Sequence, residues 1–237
     1  AHVIGKEINR FHSLLWPAML MSAGVDLPKQ IAVHGWITVD GQKMSKSLGN
    51  VINPLELADK YHLEAVRYFL MREIPFDNDG DFTHAKFKER HNADLANGLG
   101  NLTNRILTML EKYCESKVPA GMHDANLEKF LVIEIQPEYA KNMEKFRFDH
   151  GLEAVWKLVA HSDQMLSERQ PWSMAKAGKT EELNNLLYNL SEALRQIAVM
   201  IWPVMPETAE KLLLQLGLDF EIEFKKHDFP GKFIVLE

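Results

Sequence analysis

The run Lys43-Met44-Ser45-Lys46-Ser47-Leu48-Gly49-Asn50 follows a stretch rich in β-branched side chains, 30–39, and the turn pair Asp40-Gly41. β-Branched residues favour extended backbone, and Asp-Gly turns a chain sharply because both positions tolerate positive φ. A loop displayed at the end of a strand is the expected result. Two ammonium groups three residues apart, with one hydroxyl between them and another directly after, suit a polyphosphate, since each ammonium can neutralise negative charge as a phosphate group is transferred or departs. A generic Lys-x-x-Lys is usually a solvated basic turn. Here the strand, the turn and the Gly49-Asn50 continuation supply the setting that a phosphate loop requires.

Upstream, Ile8, Phe11, Leu14, Leu15 and Met19 recur at a helical period and predict a helix over 7–23, stopped by Gly24. Downstream, Asn53-Pro54 is a helix start, with Asn as the cap and Pro in the first turn. It opens a helix over 55–61, followed by another over 64–72. The polar stretch 75–81 reads as a linker. Beyond it strand signals largely vanish. Amphipathic helices are expected over 83–115, 126–146 with a break or kink at Pro137, 150–170 and 180–201, with a short one after Pro206. Brief loops between them predict an antiparallel bundle. The fold class is mainly α with an α/β N-terminal part, divided as 1–82, 83–219 and an extended tail, 220–237.

Bulk properties bound the reading. With 237 residues, 46% apolar and 25% charged, the chain can bury a real core. One cysteine, Cys114, excludes an intrachain disulfide and a Cys-rich zinc site, so the expected compartment is reducing and cytoplasmic, with Cys114 a buried filler. No apolar run approaches a membrane span. A net charge of −6 gives no global attraction to nucleic acid, so any RNA contact must be local.

The loop, all five residues from Lys43 to Ser47 with Gly49-Asn50 behind it, resembles the signature loop of class I aminoacyl-tRNA synthetases. Gly5-Lys6-Glu7-Ile8 through Phe11-His12, then Leu15-Trp16-Pro17-Ala18-Met19-Leu20 and His34-Gly35-Trp36, narrow the resemblance to the methionyl-tRNA synthetases. Leucyl, isoleucyl and valyl enzymes share the loop but not this upstream run. The resemblance implies a portion of a Rossmann-like catalytic domain over 1–82 and an α-helical anticodon-binding domain over 83–219. It implies methionine, ATP with Mg2+, and tRNA(Met) as partners, with no zinc ligands in this sequence. The reaction would make methionyl-adenylate and then methionyl-tRNA.

The family's roles fall on matching residues. Lys43 and Lys46 would act catalytically on the phosphates, within an ATP-binding loop that includes Met44, Ser45 and Ser47. Main-chain groups around Ile37 would hold the adenine. His12 and Trp16 would line the methionine pocket, and their spacing of four puts both on one helical face. An aromatic wall beside a thioether favours methionine over alkyl isosteres. Glu7 stands where the family usually has Asp, keeping the acid with a longer reach. Asn101 and Arg105, one helical turn apart, and Trp172 in Gln170-Pro171-Trp172 would read the anticodon through base edges and stacking.

Trp156 and Trp202, with apolar neighbours, read as core. Gly98 and Gly100 predict close approach of another backbone. The family's other signature, His-Ile-Gly-His, is absent from the sequence, so the chain alone is expected to be inactive. Two rival readings stand beside this one: a module that binds the anticodon and catalyses nothing, and a synthetase for a larger aliphatic amino acid.

Overall fold

The computed structural model describes residues 1–45, Ser47 and residues 49–219. Lys46, Leu48 and the expected tail at 220–237 lie outside the described residues.

The N-terminal part begins as a β-α-β unit. Strand β1 (His2–Gly5) pairs in parallel with β2 (Ile31–His34), His2 opposite Ile31 and Gly5 opposite His34. Between them the chain is helical from Lys6 to Ala23, as the apolar period predicts. It forms a 3-10 turn (Lys6–Ile8), a π-helical segment (Phe11–Leu15) and α1 (Trp16–Ala23), ended by Gly24 in the left-handed conformation. Pro17 accounts for the wide turn: it has no N–H to donate backwards and its ring crowds the preceding carbonyls. The apolar period is met, but its side is not packed; Leu14 and Met19 are 65% and 62% exposed.

The single strand expected over 30–39 is two strands in two sheets. After β2, the chain breaks at Gly35-Trp36 and resumes as β3 (Ile37–Val39). A Cβ on Gly35 would meet the Asn78 carbonyl oxygen at 2.0 Å, so the 78–79 backbone is pressed against it and only glycine fits. The turn at Asp40-Gly41 has φ of 50° and 74° and returns the chain into β4 (Gln42–Lys43), antiparallel to β3. On the other side β3 pairs in parallel with β5 (Gly80–Phe82). The expected linker over 75–81 therefore ends in a strand, held by pairing to β3 that its Gly-Asp composition does not announce.

Between β4 and β5 lie α2 (Pro54–Tyr61), capped by the Asn53 side chain on the Leu55 N–H, and α3 (Leu63–Glu73). A small core gathers Leu57, Ala65, Val66, Phe69, Phe82 and Phe87 from these helices, β5 and α4 (His84–Arg90). The long helix expected over 83–115 runs from its Thr83 cap through α4, a π-helical stretch (His91–Gly100) and α5 (Asn101–Cys114).

The larger core belongs to the bundle. Its helices include α6 (Ala125–Lys129), α7 (Gln136–Glu144), α8 (Phe148–Arg169), α10 (Thr180–Ile201) and α11 (Pro206–Gln215). Leu102, Ile106, Leu152, Leu158, Leu187, Leu190 and Ile197 are fully enclosed. The predicted break at Pro137 is instead a widened π-helical segment (Phe130–Ile135) that lets the helix continue, the same device as before Pro17. A short helix absent from the sequence reading, α9 (Pro171–Lys176), starts where Gln170 turns left-handed at φ 47°. Gly98 and Gly100 meet no foreign backbone. An added Cβ would meet the carbonyls of Ala93 and Leu95 in their own π turns, and the Trp156 indole near Gly98. Trp156 and Trp202 pack against the large core as expected. Cys114 is half-buried, its thiol pushed up by that burial.

Helix α3 ties the two parts together. Tyr68 joins the bundle core and donates to Asp94 at 2.6 Å, while Arg67 donates to the carbonyls of Pro203 and Val204. Glu64 is 4% exposed. Its carboxylate accepts from the Glu207 and Thr208 N–H groups at 2.5 and 2.9 Å and from the Thr208 hydroxyl, capping α11 from a distant helix. Glu64→Ala leaves these donors unsatisfied and is expected to cost about 1–3 kcal/mol. Urea unfolding should show it as a lower midpoint, with Glu64→Gln losing less.

Candidate functional site

The loop is displayed by the β3-β4 hairpin, as the strand and turn predict. Its first part is held by Asn50, whose side chain accepts from the Ser45 N–H at 2.8 Å and donates to the Lys43 carbonyl at 3.2 Å. One amide thus closes the loop across its own base. The Ser45 and Ser47 hydroxyls share a hydrogen bond of 2.7 Å, and Gly49 at φ 66° turns the chain out. Met44 is half-buried. Lys46 lies outside the described residues.

Lys43 leaves β4 exposed and sets its ammonium 4.5 Å from the centre of the Trp36 ring. Lys6 places a second ammonium 4.1 Å from that ring. The Trp36 indole N–H donates to Glu7 Oε2 at 3.0 Å, and its main-chain N–H donates to Asp79 at 2.8 Å. Asp79 also receives the Lys6 ammonium, at 2.7 Å to Oδ2. Trp36 is therefore the hub of a charged cluster built from β1's end, the β2-β3 junction, β4 and the residue directly before β5. Glu7 folds back over Gly5, where an added Cβ would meet its carboxylate at 2.7 Å.

Both carboxylates are held below their usual range. For Asp79 the Lys6 ammonium is the main cause, followed by the Trp36 N–H. For Glu7 its own backbone N–H leads, followed by the Trp36 indole. A carboxylate with a depressed folded value contributes its contacts above the unfolded value and loses them only as pH falls through the lower one. Trp36 emission, isolated by comparison with Trp36→Phe, is expected to stay constant as pH falls from neutral through the usual carboxylate range and to change only below it. A transition above the usual carboxylate range would contradict the cluster.

Ile37 opens β3, with its side chain against the smaller core. Strand β4 pairs only with Thr38 and Val39, so the Ile37 main chain has no strand partner on that edge among the described residues. His12 and Trp16 meet as expected, ring centroids 5.9 Å apart and near-perpendicular. His2 packs edge-on to Trp16 at 4.8 Å, and His12 Nδ1 lies 3.1 Å from the Ile8 carbonyl oxygen.

In the bundle, Asn101 is exposed at the start of α5. Arg105 is engaged: one arm of its guanidinium binds Asp163 of α8, and the other donates to the Ser167 hydroxyl at 3.3 Å. Trp172, half-buried on α9, belongs to neither core cluster, unlike Trp156 and Trp202. Arg105 and Trp172 are thus anchored from the same end of α8, one by Ser167 and the other by the turn at Gln170. Sequence reasoning missed Trp36's partners, Asp79, Asp163 and Ser167. Only Asn50 and Trp36 carried a signal, as members of the quoted runs.

Among the described residues, no three or more His, Cys, Asp or Glu side chains converge to hold a metal ion. Asp81 is taken up by Thr38, the Gly41 N–H and Lys86. No helix among them is long and apolar enough to cross a membrane.

Residues 1–107 match the family model described as tRNA synthetases class I (M). With the hairpin-borne loop this defines the class: the chain belongs to the class I aminoacyl-tRNA synthetases. Within that class it falls with the methionyl enzymes. It is 45% identical to the methionine–tRNA ligase of Caldanaerobacter subterraneus subsp. tengcongensis over 221 residues, 92% of this chain and 35% of that protein. To the Thermotoga maritima methionine–tRNA ligase it is 42% identical over 229 residues, 95% of this chain and 36% of that protein. A Mycobacterium tuberculosis methionyl-tRNA synthetase, solved with methionyl-adenylate, superposes with a TM-score of 0.86 at 38% identity, covering 93% of this chain and 44% of that one. The chain spans about a third of the length of the curated relatives it matches.

Proposed function

We propose that this chain is the part of a methionine–tRNA ligase that brings the signature loop to ATP and the helical bundle to the anticodon of tRNA(Met). Residues 1–82 act as a portion of the Rossmann-like catalytic domain, and 83–219 as the anticodon-binding domain. The observation that carries the reading is the hairpin that sets Lys43 and the loop beside the Trp36–Glu7 cluster, on the unit whose crossover helix bears His12 and Trp16.

In the first step the methionine carboxylate attacks the α-phosphorus of ATP, and pyrophosphate leaves. Lys43 and Lys46 stabilise charge on the phosphates as it moves to the leaving group. The Ser45 and Ser47 hydroxyls donate to the same oxygens, and main-chain groups at Ile37 hold the adenine. His12 and Trp16 wall the methionine side chain, and Glu7 lies on the amino-acid side of the cluster. Magnesium arrives with the nucleotide as part of the substrate. In the second step a hydroxyl at the 3′ end of tRNA(Met) attacks the carbonyl carbon of the methionyl-adenylate, and AMP leaves. Asn101 and Arg105 read base edges while Trp172 stacks on a splayed base.

The test assays this chain for methionine-dependent ATP–pyrophosphate exchange. With no His-Ile-Gly-His run in the chain, no exchange is expected from it alone. Exchange at an ordinary enzymatic rate would show that the loop needs no such partner motif. A chain that binds the anticodon stem-loop but whose loop contributes nothing to the intact enzyme would establish the rival reading, a binding module only.

A further inference from the structure

Trp36 has no role in the chemistry described above, yet the cluster is organised around it. Two ammonium groups, Lys6 at 4.1 Å and Lys43 at 4.5 Å, address one indole. The ring itself is fixed from three sides. Its N–H is bound to Glu7 at 3.0 Å and its main-chain N–H to Asp79 at 2.8 Å. The residue before it, Gly35, is pressed against the Asn78 carbonyl with no room for a side chain. Lys6, in turn, is held by Asp79. A freely rotating surface tryptophan would not need this framing.

Of the two lysines, Lys6 is ion-paired with Asp79, whereas the exposed Lys43 ammonium rests on the indole face and acts on the Glu7 carboxylate only at longer range. A cation over an aromatic ring at an exposed site gains only about 0.5–1 kcal/mol, rising to about 2 when desolvated. That is enough to choose a rotamer, and an ammonium resting on a ring keeps donors for the charge-assisted hydrogen bonds of a polyphosphate.

We propose that Trp36 is a positioning residue for the signature loop: its indole face holds the Lys43 ammonium in the rotamer from which it meets the phosphates, before and after the nucleotide binds. The ring keeps a flexible side chain from sampling solvent, so less conformational freedom is lost when the phosphate arrives. Glu7 and Asp79 act through Trp36, by fixing the plane on which Lys43 rests. This rests on the reading of Lys43 as a phosphate-binding residue.

The test uses the full-length enzyme and three variants. Trp36→Leu removes the aromatic face, Trp36→Phe keeps it, and Lys43→Ala removes the docked charge. In methionine-dependent ATP–pyrophosphate exchange, Trp36→Leu should lower kcat/KM for ATP about 3- to 10-fold, as expected for losing roughly 1 kcal/mol. The methionine KM should be unchanged, and Trp36→Phe should recover most of the loss. A merely structural role would move the methionine KM as well and would not be rescued by phenylalanine. As a second readout, inorganic tripolyphosphate added to this chain should change tryptophan emission, and the change should vanish in both Trp36→Phe and Lys43→Ala. If Lys43→Ala lowers exchange while Trp36→Leu does not, docking on Trp36 is overturned and the phosphate role of Lys43 stands. If Lys43→Ala is without effect, the phosphate role fails as well.

Discussion

Lys46→Ala in the full-length enzyme is expected to slow methionyl-adenylate formation by roughly 100- to 1,000-fold, or about 2.7–4 kcal/mol of lost transition-state stabilisation. The loop offers point charges where negative charge grows only as the α-phosphorus bond to pyrophosphate breaks, so its contribution is weighted toward the transition state. kcat should therefore carry the loss, with the ATP KM changing far less. The affinity for tRNA(Met) should be unchanged, since the loop and the bundle sit in different parts of the chain. Lys43→Ala should also slow the step, because the charge that Trp36 holds in place is then lost. Single-turnover measurement of adenylate formation separates these effects from product release.

Trp172→Ala is expected to weaken binding of the tRNA by about 1–3 kcal/mol, roughly 5- to 150-fold in Kd, without changing amino-acid activation. Trp172 is half-buried on α9 and outside both cores, so its removal should leave the bundle folded. Trp156 and Trp202, packed against the large core, should behave in the opposite way. Their truncation should lower stability by about 3–5 kcal/mol. Filter binding and urea unfolding on the same three variants separate the two kinds of tryptophan. The partner arrangement at Arg105 sharpens the expectation. Its guanidinium is already committed to Asp163 and Ser167, which fixes the direction of its remaining donors and makes Arg105→Lys a poor replacement.

Much of this arrangement was legible in the sequence, for identifiable reasons. Asp40-Gly41 demanded positive φ at both positions and the hairpin has them. The spacing of His12 and Trp16 placed two rings on one face whether the turn between them was α or π. The Asn53 and Gly24 signals are local chemistry, and each falls where it was read.

What escaped was set by distant residues. The run over 30–39 is β-branched at five of its ten positions, and its one break signal, Gly35, was not read as such. The break is imposed by the Asn78 backbone lying against Gly35. Strand β5 is hidden in a polar stretch because its extended form is held by β3 rather than by its own side chains. The widened turns before Pro17 and Pro137 follow from a missing donor, which predicts a disturbance but not whether the helix stops or widens. In the site, Glu7 and Lys43 were read as separate functional residues. The indole that joins them, and the Asp79 that fixes it, lie far from them in the chain and meet only through the fold. Asp163 faces Arg105 for the same reason.

The central claim is that one chain joins a methionyl signature loop to a reader of the methionine anticodon. The most direct measurement is the affinity of this chain for a methionine anticodon stem-loop, set against a stem-loop differing only in its anticodon bases, at fixed salt. The account predicts specific binding, with the altered anticodon at least about tenfold weaker, and the preference lost in Trp172→Ala. Equal affinity for both stem-loops, or a preference that survives Trp172→Ala and Arg105→Ala together, would contradict it.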